Sequence, residues 1–243
     1  MDDGLYRAFA EIEDRHWWFV ARREILRRLI ARWLPDGATV LDVGCGTGGF
    51  IADLQDRYQV RGVDPAPAAL AACRARGLTA VHTGTASDPA TWGPLPVDLV
   101  TFLDVVEHLE DDVSALRAAR TALRPGGRVI VTVPAYQWLW SEHDVRNRHY
   151  RRYTVRRLRR AHTAAGLRPL QSGYFNALLF PFAVLQRGLA AVRADRDLLS
   201  VPIAPINRLL QAIFSSEGGV VAGLGRSFPY GLSAFCVSAA DGA

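Results

Sequence analysis

Apolar residues recur along this chain in two alternating rhythms. Across 20–34 they return every three to four positions, the period of one helix face, and the pattern stops at Pro35-Asp36-Gly37. Thr39–Val43 follows, a short apolar run bounded by turn residues, which predicts a buried strand. The alternation then repeats. A helix is expected at 50–57, a strand at Gln59–Asp64, an Ala-rich helix at 66–76 and a third strand at Leu78–His82. Val97–Leu103 is a fourth, strongly apolar strand, and 111–123 a helix. A turn at Arg124-Pro125-Gly126-Gly127 leads into a fifth strand, Arg128–Val133. Strands alternating with helices of about a dozen residues mean parallel βαβ units, with helices on both faces of the sheet. Strands apolar along their whole length fit that double burial.

The second half is less regular. A helix is expected at 154–165, closed by Gly166, and a strand at 167–174. Apolar helical stretches follow at 177–193 and 203–215, and Leu232–Val237 alternates like a last strand. No repeat or low-complexity linker interrupts the chain.

Composition narrows the class. Apolar residues make up 49% and charged residues 22%, which excludes a disordered chain. The nearest approach to a membrane span, 174–192, is broken by Asn176, Pro181, Gln186 and Arg187. Three cysteines make neither a disulfide framework nor a zinc site. With a polar, acidic N-terminus that is no signal peptide, they lead to the expectation of a reducing, cytoplasmic setting. The net charge is +5, and all 29 basic side chains are arginine, so part of the excess reflects genome composition. Arginines cluster at 22–32, where they coat a helix, and again at 146–160.

In an open α/β sheet, ligands bind beyond the carboxyl ends of the strands. After the first strand comes Gly44-Cys45-Gly46-Thr47-Gly48-Gly49, which lets the backbone approach a ligand and turn tightly into a helix. Asp64 closes the second strand, 20 residues beyond Gly44, where a carboxylate can accept from both hydroxyls of a ribose. Together these point to an adenosine-containing cofactor. The glycines satisfy the dinucleotide fingerprint and, through Gly48, equally satisfy G-x-G-x-G.

VLDVGCGTG, VRGVDP, DLVTFLDVVEHLEDD and LRPGGRVIVTVP, in that order across 38–134, resemble the class I S-adenosylmethionine (SAM) dependent methyltransferases. The similarity is greatest to the type 11/23, ubiquinone-biosynthesis-like branch. EDRHWWFVARR at Glu13–Arg23, WSEHDVRNRHYRRY at Trp140–Tyr153 and FPYGLS at Phe228–Ser233 resemble further segments of one sub-branch. The resemblance implies an α/β, Rossmann-like, seven-stranded, mostly parallel sheet with helices on both faces. It implies one methyltransferase domain over 1–243, with an N-terminal helical cap at 1–35 and a SAM-binding core at 36–135. The substrate-side half is then 136–243, with a helical insertion at about 177–216 before the last strand.

It also assigns roles. Gly44, Cys45 and Gly46 would lie against the methionine part of SAM, and Asp42 would orient the loop and the ammonium group. Asp64 would hold the ribose, with Pro65 beside the adenine. Because Gly84–Ser87 lacks the acidic residue usual there, either the Ala86 backbone or Asp88 would contact the adenine. Leu103 would offer its carbonyl to the ammonium.

Methyl transfer from a sulfonium is an in-line displacement that mainly needs the acceptor held at attack distance, and an acidic acceptor also needs a base. An alkene acceptor instead needs aromatic faces or a carboxylate near the carbocation it forms. Candidates follow strands four and five: Glu107, His108 and Tyr136 as catalytic groups, with His143 and His149 nearby. Tyr6 and Trp17, in the Trp17-Trp18-Phe19 cluster, either shape the acceptor pocket or pack a helix. His143–Arg160 holds eight arginines, and arginine forks match phosphate oxygens. Arg146, Arg148, Arg151, Arg152, Tyr153 and His143 are therefore expected to bind an anionic acceptor.

The apolar stretch 174–216 suggests a greasy chain on that acceptor. Carbon methylation of a prenyl diphosphate, such as isopentenyl diphosphate in a secondary isoprenoid pathway, is the sharpest expectation. O- or C-methylation of a quinone, polyketide or glycolipid is the alternative. An NAD-dependent oxidoreductase and a non-catalytic SAM-binding module are readings of other classes. No nucleic-acid partner is expected, no metal is demanded, and contact with a membrane surface fits the apolar and basic faces together.

Overall fold

All five residues of Thr39–Val43 are buried, as a strand covered on both faces requires. The computed structural model describes residues 3–190 and 200–240. Seven strands form one sheet: β1 (Thr39–Val43), β2 (Gln59–Asp64), β3 (Val81–Thr83), β4 (Val97–Leu103), β5 (Leu123–Pro134), β6 (Leu167–Phe175) and β7 (Ser233–Ala240). Their order is β3-β2-β1-β4-β5-β7-β6. The first five strands pair in parallel, and β7 lies antiparallel between β5 and β6. This is the Rossmann-like α/β sheet that the sequence pattern implies. Strand order reverses between β1 and β4, which opens a crevice at their carboxyl ends.

Alternate strand residues feed two cores. Val40, Leu99 and Ile130 face one side, against Ile25, Leu29 and Phe214 from α2 (Trp17–Trp33) and α9 (Ala204–Gly218). Leu41, Val100 and Val129 face the other, against Leu116 and Leu158 from α5 (Asp112–Ala122) and α7 (Val155–Ala164). The remaining helices are α1 (Asp3–Ile12), α3 (Gly49–Ala52), α4 (Pro67–Ala75), α6 (Glu142–Arg146) and α8 (Phe180–Ala190). Among the described residues, no helix is long and apolar enough to cross a membrane.

Several boundaries move from where the pattern puts them. The third strand starts at Val81 rather than Leu78, because Gly77 (φ +81°) ends α4 and the Leu78 amide still donates to the Cys73 carbonyl. The helix expected at 50–57 stops at Ala52. Arg124–Gly127 bulges within β5, with Leu123 opposite Val97 and Arg128 opposite Leu99. α8 begins at Phe180 rather than 177, and residues 191–193 of the expected helix lie outside the described residues. α6 was not foreseen; Ser141 and Asp144 cap it reciprocally.

Candidate active site

The glycine loop is pinned from behind and open in front. Gly44 and Cys45 both donate to the Val63 carbonyl, at 2.7 and 3.0 Å. At Gly44 (φ +80°) a Cβ would sit 2.5 Å from Val105 Cγ2, so the close approach requires glycine. At Gly46 (φ +55°) a Cβ would meet nothing within 4 Å, so the loop presents open space there. Asp64 accepts from the Gly46 amide at 3.0 Å and the Ala66 amide at 2.9 Å. Burial pushes its carboxyl up, and those backbone bonds oppose the shift. The Tyr6 hydroxyl donates to Asp64 Oδ1 at 3.4 Å, which brings α1 over the loop. Glu13 fixes that cap, accepting from the Thr47 hydroxyl and from Arg76, each at 2.6 Å.

Beside the loop, buried Asp42 accepts from the Thr101 hydroxyl at 2.6 Å. Burial pushes its carboxyl up to about 7, against that bond and the nearby Arg22 charge. On the far side of Asp64, Pro65 is exposed and Ala86 buried. The fully buried Trp92 donates through Nε1 to the Thr85 carbonyl at 2.8 Å and shapes this stretch. Asp88 caps its own turn by accepting from the Ala90 amide.

Beyond β4 the chain turns sharply. Leu103 is half-buried, and Asp104 takes φ +58°, which costs a non-glycine residue about 1–3 kcal/mol. Arg22 reaches in from α2, with Nη2 2.8 Å from Asp104 Oδ2 and 2.7 Å from Thr132 Oγ1. Its guanidinium lies 5.0 Å from the Trp18 ring centre. Glu107 is wholly buried, and neither carboxylate oxygen has a hydrogen-bond partner. Burial pushes its carboxyl well up, and the Asp104 charge adds to the shift. The His108 and His149 rings meet edge to face at 4.6 Å. Burial lowers His108 to about 4, with His149 adding to the shift, so its imidazole is neutral at pH 7. His149 Nδ1 lies 2.9 Å from Asp144 Oδ1, and Asp144 is in turn gripped by Arg152 through two 2.8 Å bonds. Donor atoms of Glu107, His108 and His149 lie within 4.8 Å of one another. The sequence shows no set that demands a metal, but folding assembles a carboxylate and two imidazoles that suit a first-row divalent ion.

A family model described as a methyltransferase domain matches residues 15–172. The chain belongs to this family of class I SAM-dependent methyltransferases. It is 34% identical over 116 residues to a ubiquinone biosynthesis O-methyltransferase of Aeromonas salmonicida, covering 41% of this chain and 47% of that one. The chain thus spans about half the length of the curated relatives it matches. Its fold superposes with a TM-score of 0.63 on the putative methyltransferase solved with the Haloferax volcanii Trm112 activator, at 21% identity, covering 99% of this chain and 96% of that one. A phosphoethanolamine N-methyltransferase 2 of Haemonchus contortus, solved with SAM, matches with a TM-score of 0.56 and 18% identity, covering 89% and 52%. SAM is therefore the cofactor, and the dinucleotide reading of the glycine loop falls away.

The methyltransferase uses several expected acceptor residues differently. Tyr153 is fully buried and its hydroxyl donates to Asp112 at 2.6 Å, so it is a core residue rather than a contact for an anion. Arg152 is buried and spent on Asp144. Arg151 is drawn to the Glu110 carbonyl (2.8 Å) and to Asp112 (3.4 Å). His143, Arg146 and Arg148 are exposed, with Arg146 3.4 Å from Glu142. Trp17 packs on Phe214 of α9, with ring centres 6.1 Å apart, rather than on the cofactor crevice. Tyr136 (φ +58°) stacks on Tyr174 at 5.0 Å and meets Trp138 and Phe180, forming an aromatic wall. Burial and Tyr174 hold its phenol well above the usual range, which makes it a poor proton acceptor.

Sequence reasoning missed Arg22, Asp104 and Asp144. Arg22 is one of many arginines on an amphipathic helix, and no local signal marks it. The positive φ of Asp104 and the buried pairing of Asp144 exist only once the fold is formed.

Proposed function

We propose that the enzyme methylates an acidic hydroxyl on a small, partly apolar acceptor, an O-methylation. The observation that carries this reading is the Glu107–His149 pair at the end of β4. One member is a buried carboxylate without a partner, and the other is an imidazole locked by Asp144. With the Nδ1 proton directed at Asp144, Nε2 of His149 is left as the proton acceptor.

Asp64 and the Gly44–Gly46 loop would bind and orient the cofactor, and Asp42 would face its ammonium. Arg22, set between Asp104 and Thr132, supplies the positive charge that suits its carboxylate. Bound SAM supplies an electrophilic methyl group on a sulfonium. The acceptor O–H gives its proton to His149, the oxygen lone pair forms the new O–C bond, and the breaking C–S pair stays on sulfur. The Tyr136–Trp138–Phe180 wall holds the apolar body of the acceptor. O-methyltransferases among the relatives support this choice.

The same wall would shelter a carbocation, which favours a second reading, C-methylation of a prenyl diphosphate. The engagement of Arg151 and Arg152 within the protein weighs against it. Incubation with methyl-labelled SAM and a panel of long-chain phenols, enols and prenyl diphosphates tests both. The first reading expects label in a base-stable methyl ether. Label on a prenyl carbon overturns it.

A further inference from the structure

Exposed apolar side chains gather in the second half of the chain. Of the 13 large apolar side chains exposed among the described residues, 12 lie beyond residue 136, and the other is Leu95. Two stripes at helical spacing dominate. Leu178, Phe182 and Leu185 run along the start of α8, and Ile203, Ile206 and Leu209 along the start of α9.

Topology sets both stripes on one rim. α8 begins just after the carboxyl end of β6. The start of α9 is level with the start of α2, because Asn207 accepts from the Trp17 amide at 3.0 Å and donates to the Arg15 carbonyl at 2.8 Å. α2 enters the sheet from the carboxyl side, ahead of β1. This is the rim on which the active site opens. Trp138 and Tyr230, both exposed, flank Phe180 at 6.2 and 5.5 Å and join the stripes to the aromatic wall.

Charge identifies the occupant. Arg151 and Arg152 are taken up by Asp112 and Asp144, so the free charge near this rim comes from the arginines exposed around α7. Arg148, Arg156 and Arg157 are exposed around the start of α7, whose first residue follows the same rim. Apposing two such faces would bring like charges together, which disfavours a second copy of this chain. An anionic bilayer satisfies both features: aliphatic and aromatic side chains enter the interface, and arginines meet phosphate headgroups.

We propose that this rim docks the enzyme on an anionic lipid surface, with the active-site mouth facing the membrane. The proposal extends the reading of an amphiphilic acceptor but is tested without one, so either can fail alone.

The test is co-sedimentation of the full chain with phosphatidylcholine vesicles, with and without phosphatidylglycerol. At least tenfold more protein should sediment with the anionic vesicles, and high salt should reverse most of that gain. Phe182→Glu/Leu185→Glu and, separately, Ile206→Glu/Leu209→Glu should each lose at least tenfold in binding. SAM affinity, measured by calorimetry, should be unchanged and reports that each variant is folded. Absence of vesicle binding by the wild type, or binding by both variants as tight as the wild type's, overturns the proposal. So does a homodimer in sedimentation equilibrium that the same substitutions dissolve, since the face then belongs to a second copy.

Discussion

Asp42, proposed to face the ammonium of SAM, is an acid poised near neutrality. Burial holds its carboxyl at about 7, so the carboxylate that suits an ammonium group is only half formed at that pH. SAM affinity should therefore rise as pH increases from 6 to 8, with proton release on binding near pH 7, read by calorimetry in two buffers. Asp42→Asn should bind more weakly and lose this slope; an unchanged slope contradicts the assignment. At the reacting end, His149→Gln should lower kcat about 100- to 10,000-fold while SAM affinity holds. Zinc held by Glu107, His108 and His149 would occupy the lone pairs that take the proton. Added zinc should thus depress kcat, and a chelator should restore it. Activity that depends on zinc would reverse the assignment of the cluster.

Asp144 links the buried Arg152 to His149, the proposed base. Burial alone would raise its carboxyl, but His149 and Arg152 more than reverse this and hold it well below the usual range. The folded value is depressed, so the stabilisation is fully present above the ordinary carboxyl range near 4 and is lost as pH falls below it. Asp144→Asn leaves Arg152 buried without its counter-charge, at a cost of about 3–5 kcal/mol. A melting temperature lower by on the order of 10 °C at pH 7 should follow, and the difference should shrink in acid. The cofactor residues proposed from sequence, Asp42, Gly44, Gly46 and Asp64, lie within one strand–loop–strand unit. Arg22 meets Asp104 and Thr132, and His149 meets His108, across distant segments that no spacing rule encodes.

At the scale of elements, the N-terminal segment is the piece proposed to close the cofactor crevice. α1 touches Asp64 through Tyr6, and the turn after it is tied to the glycine loop through Glu13, Thr47 and Arg76. Glu13→Ala removes that tie while leaving every loop glycine in place. SAM affinity should fall about tenfold, with faster dissociation in stopped-flow fluorescence; an unchanged off-rate would show that the cap does not hold the cofactor. The strands β1, β2 and β4 were legible to the residue because apolar runs between turns have one reading in an α/β chain. α6 was not: five residues of mixed polarity carry no periodicity, and only the reciprocal Ser141–Asp144 cap makes them helical.

Across the whole molecule, the sheet divides labour between its two halves. β1 to β4 build the cofactor side from short local units. β5 to β7 support the aromatic wall, the buried Asp144–Arg152 pair and the exposed apolar rim. Alternation of strands and helices made the parallel core legible. The acceptor side was misread in part because arginine counts say nothing of partners: Arg152, expected at an anion, faces Asp144 instead. The most direct measurement is a crystal structure with S-adenosylhomocysteine bound. The ribose hydroxyls should lie on Asp64, with the sulfur turned toward Glu107 and His149. A sulfur turned away from that pair, or a ribose held elsewhere than on Asp64, would contradict the account.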